Sequence, residues 1–223
     1  MIRRVLTVLL LLMALPLVLA VAYNASNPVS TLMLGRWLTG ERVERRWTPI
    51  AEMSPAFVRT VVASEDARFC AHPGVDLAEM RAAIDKADEL EDVRGASTIT
   101  MQVVKNLFLW PGRDVVRKAI EIPLALWLDL VMSKRRLLEI YINIAEWGPD
   151  GEFGIAAGAR RAFRAPPAAL DAGQAALLAV MLPNPLKRDA ARPSPGLRRL
   201  AARLEARVPK EGPELVACLG LGG

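Results

Sequence analysis

Apolar residues recur at helical spacing along most of the chain, and no stretch alternates as a strand does. The first pattern is unbroken: after Arg3-Arg4, the 18 residues from Val5 to Ala22 carry no charge. That meets the lower limit for crossing a bilayer, ~17–25 residues, and exceeds the ~7–15-residue apolar core of a secretory signal. Arg3 and Arg4 would stay in the cytoplasm, sending the remainder outside. The run thus predicts a membrane anchor over residues 1–23; Ala20-Val21-Ala22, an A-x-A cleavage pattern, keeps a removed signal as the alternative. Residues 24–50 read as a juxtamembrane linker, turn-rich in "NASNPVSTLMLG" and charged in "ERVERRWTPI".

From residue 51 the pattern predicts a helical body to residue 208, then a tail over 209–223. "SPAFVRTVVASEDARF" opens with Ser-Pro, a helix start, and turns Phe57, Val61, Val62 and Ala63 inward. Residues 76–93 place Leu77, Met80, Ile84 and Ala87 on one face, until Arg94-Gly95-Ala96 breaks the run. Ser97 is positioned to cap a helix lasting to about Leu109, ended by Pro111-Gly112. Asp114 is positioned to cap another, lasting to about Met132, with Pro123 expected to kink or divide it. "SKRRLLEIYINIAEWG" stops at Gly148, and "GPDGEFG" is a loop. Two shorter helices follow near 155–164 and 171–182. A last basic helix lines up Leu197, Leu200, Leu204 and Val208. The greasy "AIEIPLALWLDLVM" is too short for a second span and holds Glu121, Asp129 and Pro123.

Composition agrees with a mainly α fold: 52% of residues are hydrophobic and only 5% aromatic. The net charge of +5 favours an anionic partner such as phosphate or a lipid surface. No Lys/Arg run interleaved with aromatics marks a nucleic-acid site, so none is expected. Cys70 and Cys218 lie far apart in sequence, and they read as two small buried thiols more readily than as a bridge.

Three segments carry candidate chemistry. "EDARFCAHPG" sets Glu65 and Asp66 shortly before His72, the only histidine. In "STITMQVVKNLFL", Thr98, Gln102 and Lys105 fall on one helical face while Ile99, Val103 and Leu107 form the inner one. In "RKAIEI", Arg117 and Glu121 are i, i+4 neighbours with Lys118 adjacent. Taken alone, each reads more readily as structure: a helix cap and a polar corner for the first, a solvated face for the second and a surface ion pair for the third. Together, the cations can gather around phosphate oxygens, and Glu65 can act as a general base if burial raises its pKa.

With "KRRLLEIYINIAEWG" and "RAFRAPPAALDAGQAALLAVMLPNP", these segments resemble, in order, the five motifs of the peptidoglycan glycosyltransferases (glycosyltransferase family 51). The likeness spans about residues 50–190 and is nearest the monofunctional biosynthetic form of Gram-negative bacteria. It implies a lysozyme-like helical domain with a small hydrophobic lobe dipping into the membrane. It also implies polymerisation of lipid II: the GlcNAc 4-OH of one molecule displaces undecaprenyl diphosphate from the MurNAc C1 of a lipid-linked chain, with inversion. By resemblance Glu65 is the base, and Asp66, Phe69 and His72 are its companions. Ser97, Thr98, Gln102, Lys105 and Asn106 touch substrate. Arg117 and Lys118 meet the diphosphate, and Glu121 assists binding or departure. The family commonly uses a divalent cation, Mg or Mn, at the diphosphate. The expected partners are lipid II, the nascent glycan strand, the inner membrane, and cell-wall or division proteins including a separate transpeptidase, since no S-x-x-K motif is present. The catalytic domain would be periplasmic on a single-pass anchor.

The chain departs from the family pattern at Met101, where Gln is usual, and at Gln174, where Glu is frequent. Met101 should point away from the Thr98–Gln102–Lys105 face, and Cys70 has no assigned role. Two rivals stand beside this reading: a glycan-cleaving enzyme of the lysozyme or lytic transglycosylase kind, and a non-catalytic membrane scaffold. A Ser-His-Asp hydrolase is disfavoured because the one histidine lies inside the Glu65 motif, and a His/Cys zinc site lacks ligands.

Overall fold

The computed structural model describes residues 1–85, 97–110, 112 and 115–221; six side chains of the first helix (Ile2, Val5, Val8, Leu9, Leu10 and Leu12) are also outside the description. Ten helices appear among the described residues: α1 (Ile2–Ala22), α2 (Thr31–Leu38), α3 (Pro55–Glu65), α4 (Leu77–Ile84), α5 (Ile99–Phe108), α6 (Val115–Val131), α7 (Lys134–Ile144), α8 (Ile155–Phe163), α9 (Ala172–Met181) and α10 (Pro195–Arg207). Four short 3-10 turns also occur among the described residues, two of them after α10.

Core formation follows the apolar spacing. Phe57, Val58, Val61 and Val62 of α3 are fully buried against α9, which carries Ala175, Ala176, Leu178 and Ala179. On the other side α5 buries Ile99, Met101, Val103 and Val104 between α6 and α7. Polar side chains fix the helix starts: Ser54, Asp76, Ser133, Asp171 and Ser194 each accept a backbone N–H of the first turn, satisfying donors that have no partner within the helix. In α9, Gln174 completes a capping box with Asp171, so the residue that departs from the motif has a structural task.

Several expectations are corrected. The cap of α5 is Thr98, not Ser97: its hydroxyl accepts the Met101 N–H at 3.1 Å, while the Ser97 side chain turns to Lys118. Pro123 does not divide α6, which runs unbroken to Val131. No side chain of α4 is fully buried, and Leu77 and Ile84 are exposed, so of its predicted apolar face Met80 alone packs against the core among the described residues; the predicted extension to 93 and the caps at Pro111 and Asp114 lie outside the described residues. In α10 the buried positions are Leu197, Ala201 and Leu204, continued by Val208, while Leu200 is exposed; spacing of 4, 3 and 4 holds one face better than a line through Leu200.

The segment expected to be turn-rich holds α2, whose Met33 is fully buried. Beyond it, Glu44–Arg45 (β1) pairs in parallel with Glu152–Phe153 (β2). Two-residue strands are too short to show alternation, so no pattern announced them. The two cysteines form a disulfide, Cys70–Cys218, with Cα atoms 5.4 Å apart, contrary to the expected pair of free thiols. Neighbouring sequence could not reveal this bond, because it closes a separation of 148 residues.

The C-terminal half of α1 lies along α6, where the Trp127 indole donates to the Leu17 carbonyl at 3.2 Å. Counted over the described side chains alone, no helix is long and apolar enough to cross a membrane.

Candidate active site

The end of α3 and the loop after it deliver the first carboxylates. Glu65 closes the helix and Asp66 is its C-cap. The Asp66 carboxylate is buried and triply held: His72 Nε2 sits 2.9 and 3.1 Å from its two oxygens, and the Ile99 N–H donates at 2.9 Å. One carboxylate therefore ties the loop to the N-terminus of α5, where the helix dipole favours negative charge. Thr98 adds a second tie, donating to the Gly74 carbonyl at 2.6 Å. Gly74 itself has φ +86°, and a Cβ there would lie 2.5 Å from the Ala125 carbonyl oxygen of α6. Only glycine lets the loop press so closely on that helix.

Lys134 supports the loop from below. Its ammonium pairs with Asp129 at 2.6 Å, donates to the His72 carbonyl at 2.7 Å and lies 4.6 Å from the centre of the Phe69 ring. Phe69 is fully buried and meets His72 edge-on, so it holds up the loop rather than lining the surface.

Glu65 is bonded through one oxygen only. Its Oε2 accepts from Gln102 Nε2 at 3.0 Å and from the Tyr141 hydroxyl at 3.2 Å. Oε1 has no hydrogen bond among the described residues. Burial pushes the Glu65 pKa up; the Gln102 and Tyr141 bonds and the Lys105 charge oppose that shift. Glu65 lines a cleft of about 290 Å³ together with Asp66, Arg68, Ser97, Thr98 and Arg207.

Ser97 connects this cleft to the cations. Its hydroxyl accepts from Lys118 at 2.9 Å, and the same ammonium pairs with Glu121 at 3.0 Å. Arg117 holds the other Glu121 oxygen at 2.5 Å. Glu121 is only 2% exposed, a buried anion offset by two cations. Lys105 belongs to the same field: burial lowers its pKa, Glu121 and Glu65 act to raise it, and Arg117 and Lys118 lower it further. A cluster of three cations around one carboxylate retains positive charge to offer an anion.

Of the predicted site residues, Glu65, Asp66, His72, Ser97, Thr98, Gln102, Lys105, Arg117, Lys118 and Glu121 fall into this one continuous region. Asn106, one turn along α5 from Gln102, contributes its backbone carbonyl to the Thr31 hydroxyl at 3.2 Å. Met101 is fully buried, as its place on the helix required. Tyr141 went unremarked in the sequence. The signal available was a tyrosine on the inner face of α7, since a buried phenol must find a polar partner.

The residues do not build a cage for the divalent cation implied by the resemblance. Among the described residues no three His, Cys, Asp or Glu side chains converge, and Asp66 and Glu121 already spend their oxygens on other partners.

The profile of a family described as "Transglycosylase" matches residues 32–208. The chain is 58% identical over 211 residues to a biosynthetic peptidoglycan transglycosylase of Rhodopseudomonas palustris (strain HaA2), covering 93% of this chain and 92% of that protein. It is 54% identical over 207 residues to one from Nitrobacter hamburgensis, covering 93% and 91%. A third, from Mesorhizobium japonicum, is 51% identical over 222 residues, covering 98% and 93%.

Proposed function

Since the chain belongs to the transglycosylase family, we propose that it is a peptidoglycan glycosyltransferase, which polymerises glycan strands from lipid II. The acceptor is the GlcNAc 4-OH of one lipid II. Its proton passes to Glu65 Oε1 as its oxygen bonds to C1 of the donor MurNAc. The C1–O bond to the diphosphate breaks, the electron pair leaves with the lipid diphosphate, and the α-linked donor becomes a β-1,4 glycan.

One observation carries this reading: a carboxylate that lines a cleft, with one oxygen unbonded among the described residues, joined through Ser97 to a cluster of cations around the buried Glu121. Inverting displacement needs a base on the acceptor side and charge stabilisation on the leaving side. A second, closely spaced carboxylate would mark a retaining hydrolase instead. Lys105, Arg117 and Lys118 take the diphosphate, and Glu121 orients the last two and so assists departure. Asp66, His72 and Thr98 keep the cleft in shape. Any divalent cation comes with the substrate's diphosphate.

The enzyme works at the cell envelope, and we place it on the outer face of the inner membrane, anchored once by α1. Support comes from the uncharged run Val5–Ala22 behind Arg3-Arg4, contained in a single 21-residue helix. Exposed Leu34, Trp37 and Leu38 of α2, with Leu126 and Leu130 of α6, give the membrane-facing lobe its apolar surface. The disulfide fits an oxidising compartment.

Labelled lipid II tests the reaction. Wild-type protein is expected to yield glycan polymer and release lipid diphosphate; Glu65→Gln is expected to bind lipid II and form no polymer. Appreciable turnover by Glu65→Gln would remove Glu65 as the base. Untouched lipid II together with shortening of preformed glycan would favour the glycan-cleaving alternative.

A further inference from the structure

We propose that Tyr141 is a positioning residue for the base: its hydroxyl, with the Gln102 amide, occupies Glu65 Oε2 and so commits Oε1 to the acceptor's proton. The inference rests on Glu65 being that base.

Three polar groups close a triangle. Gln102 Nε2 donates to Oε2 at 3.0 Å, which turns Gln102 Oε1 toward Tyr141. The phenol oxygen lies 3.2 Å from Glu65 Oε2 and equally 3.2 Å from Gln102 Oε1. One O–H proton thus has two acceptors at the same distance. While Glu65 is ionised, the carboxylate is the stronger acceptor and holds the proton. Once Oε1 has taken the sugar's proton, Oε2 weakens as an acceptor, and the phenol turns to Gln102 without losing a hydrogen bond. The triangle therefore serves both protonation states of the base. A bare buried carboxylate would have two equivalent oxygens and no such preference.

The phenol does not compete for the proton. Burial, and then the Glu65 charge, push the Tyr141 pKa well above its ordinary value, so the group remains a donor. The charged and titratable groups around Glu65 are Asp66 beside it and Lys105 from α5; Arg68, Asp76, Glu79 and Arg207 line the same cleft.

Tyr141→Phe keeps the ring in the core and removes only the hydroxyl. A donor to the ionised form lowers a carboxyl pKa, so its loss raises the Glu65 pKa. We expect kcat to fall about tenfold with KM for lipid II nearly unchanged, and the acid limb of the pH–rate profile to move up by about one unit. Because the chain has two tyrosines, 3-fluorotyrosine labelling gives two fluorine NMR signals, and Tyr141→Phe identifies which is Tyr141. That signal is expected to titrate in step with the acid limb and to stay flat in Glu65→Gln.

An unmoved acid limb in folded Tyr141→Phe, or a Tyr141 signal that ignores pH in otherwise wild-type protein, would overturn the inference. The fluorine measurement applies even where Tyr141→Phe folds poorly. Should Glu65→Gln keep polymerising, the base assignment falls first; should it be inactive while Tyr141→Phe has a wild-type profile, only the positioning role falls.

Discussion

Glu65 illustrates how catalysis and stability pull apart at a single side chain. Its folded-state pKa is raised, chiefly by burial, so the folded protein binds that proton more tightly than the unfolded chain does. The sign is therefore adverse: full stability from this group exists below the unfolded pKa and is lost as pH rises through the raised folded value. Once ionised, the buried Glu65 carboxylate costs folding free energy. Glu65→Gln is expected to raise the unfolding temperature near pH 7 by a few degrees. The gain should shrink toward zero below pH 4, and calorimetry across that range would reveal it. Equal stability at both pH values would show that the carboxylate is not held in a costly setting. Glu65 was legible in the sequence because a carboxylate pair stood near a lone histidine. Tyr141 was not, because it sits within an apolar run whose helical period explains it fully until the partner of its hydroxyl is seen.

At the level of elements, the site depends on how α5 begins. The Thr98 hydroxyl caps the helix and also bonds Gly74, and the Asp66 carboxylate takes the Ile99 N–H. Two short polar side chains thus join the loop 66–74 to the helix carrying Gln102 and Lys105. Thr98→Ala removes both Thr98 bonds and is expected to cost about 1–2 kcal/mol, seen as a lower denaturant midpoint, with a larger proportional loss of polymerisation. Loss of stability with full activity would reduce Thr98 to a cap. Helices of one strong period, such as α3, α5 and α7, start within a residue of where their patterns begin, whereas α3 and α7 end earlier, at Glu65 and Ile144, than the patterns suggest. The start of α5 was misplaced because Ser97 and Thr98 are equally good caps, and only the demand of Lys118 for an oxygen separates them. The apolar face of α4 misled for a different reason: helical spacing reports amphipathicity and does not say what covers the face.

Across the whole molecule, Cys70 joins the loop beside Glu65 to the 3-10 turn Pro213–Leu219, which also buries Leu215 and Leu219. Arg59 donates to the Glu211 carbonyl at 3.0 Å, and Arg135 donates to that of Leu219 at 3.0 Å. The tail is thus strapped across α3 and α7, although the family match stops at residue 208. Cross-linking residues this far apart is worth about 2–5 kcal/mol through the unfolded state. Cys218→Ser is expected to lower the unfolding temperature by roughly 5–15 °C, and reductant should do the same to wild type but nothing further to the variant. Unchanged melting would mean that the noncovalent strap suffices. Sequence could set the order of helices and the chemistry of three motifs, since those are local or repeat at fixed spacing; a bond between distant thiols has neither property. The strap also imposes an order of events during biogenesis. Cys218 leaves the ribosome 148 residues after its partner, so the bond beside Glu65 closes only after all the residues of the candidate site have been synthesised. A nascent copy shorter than that holds every residue of the candidate site yet lacks this fastening, so the disulfide is among the last ties to form.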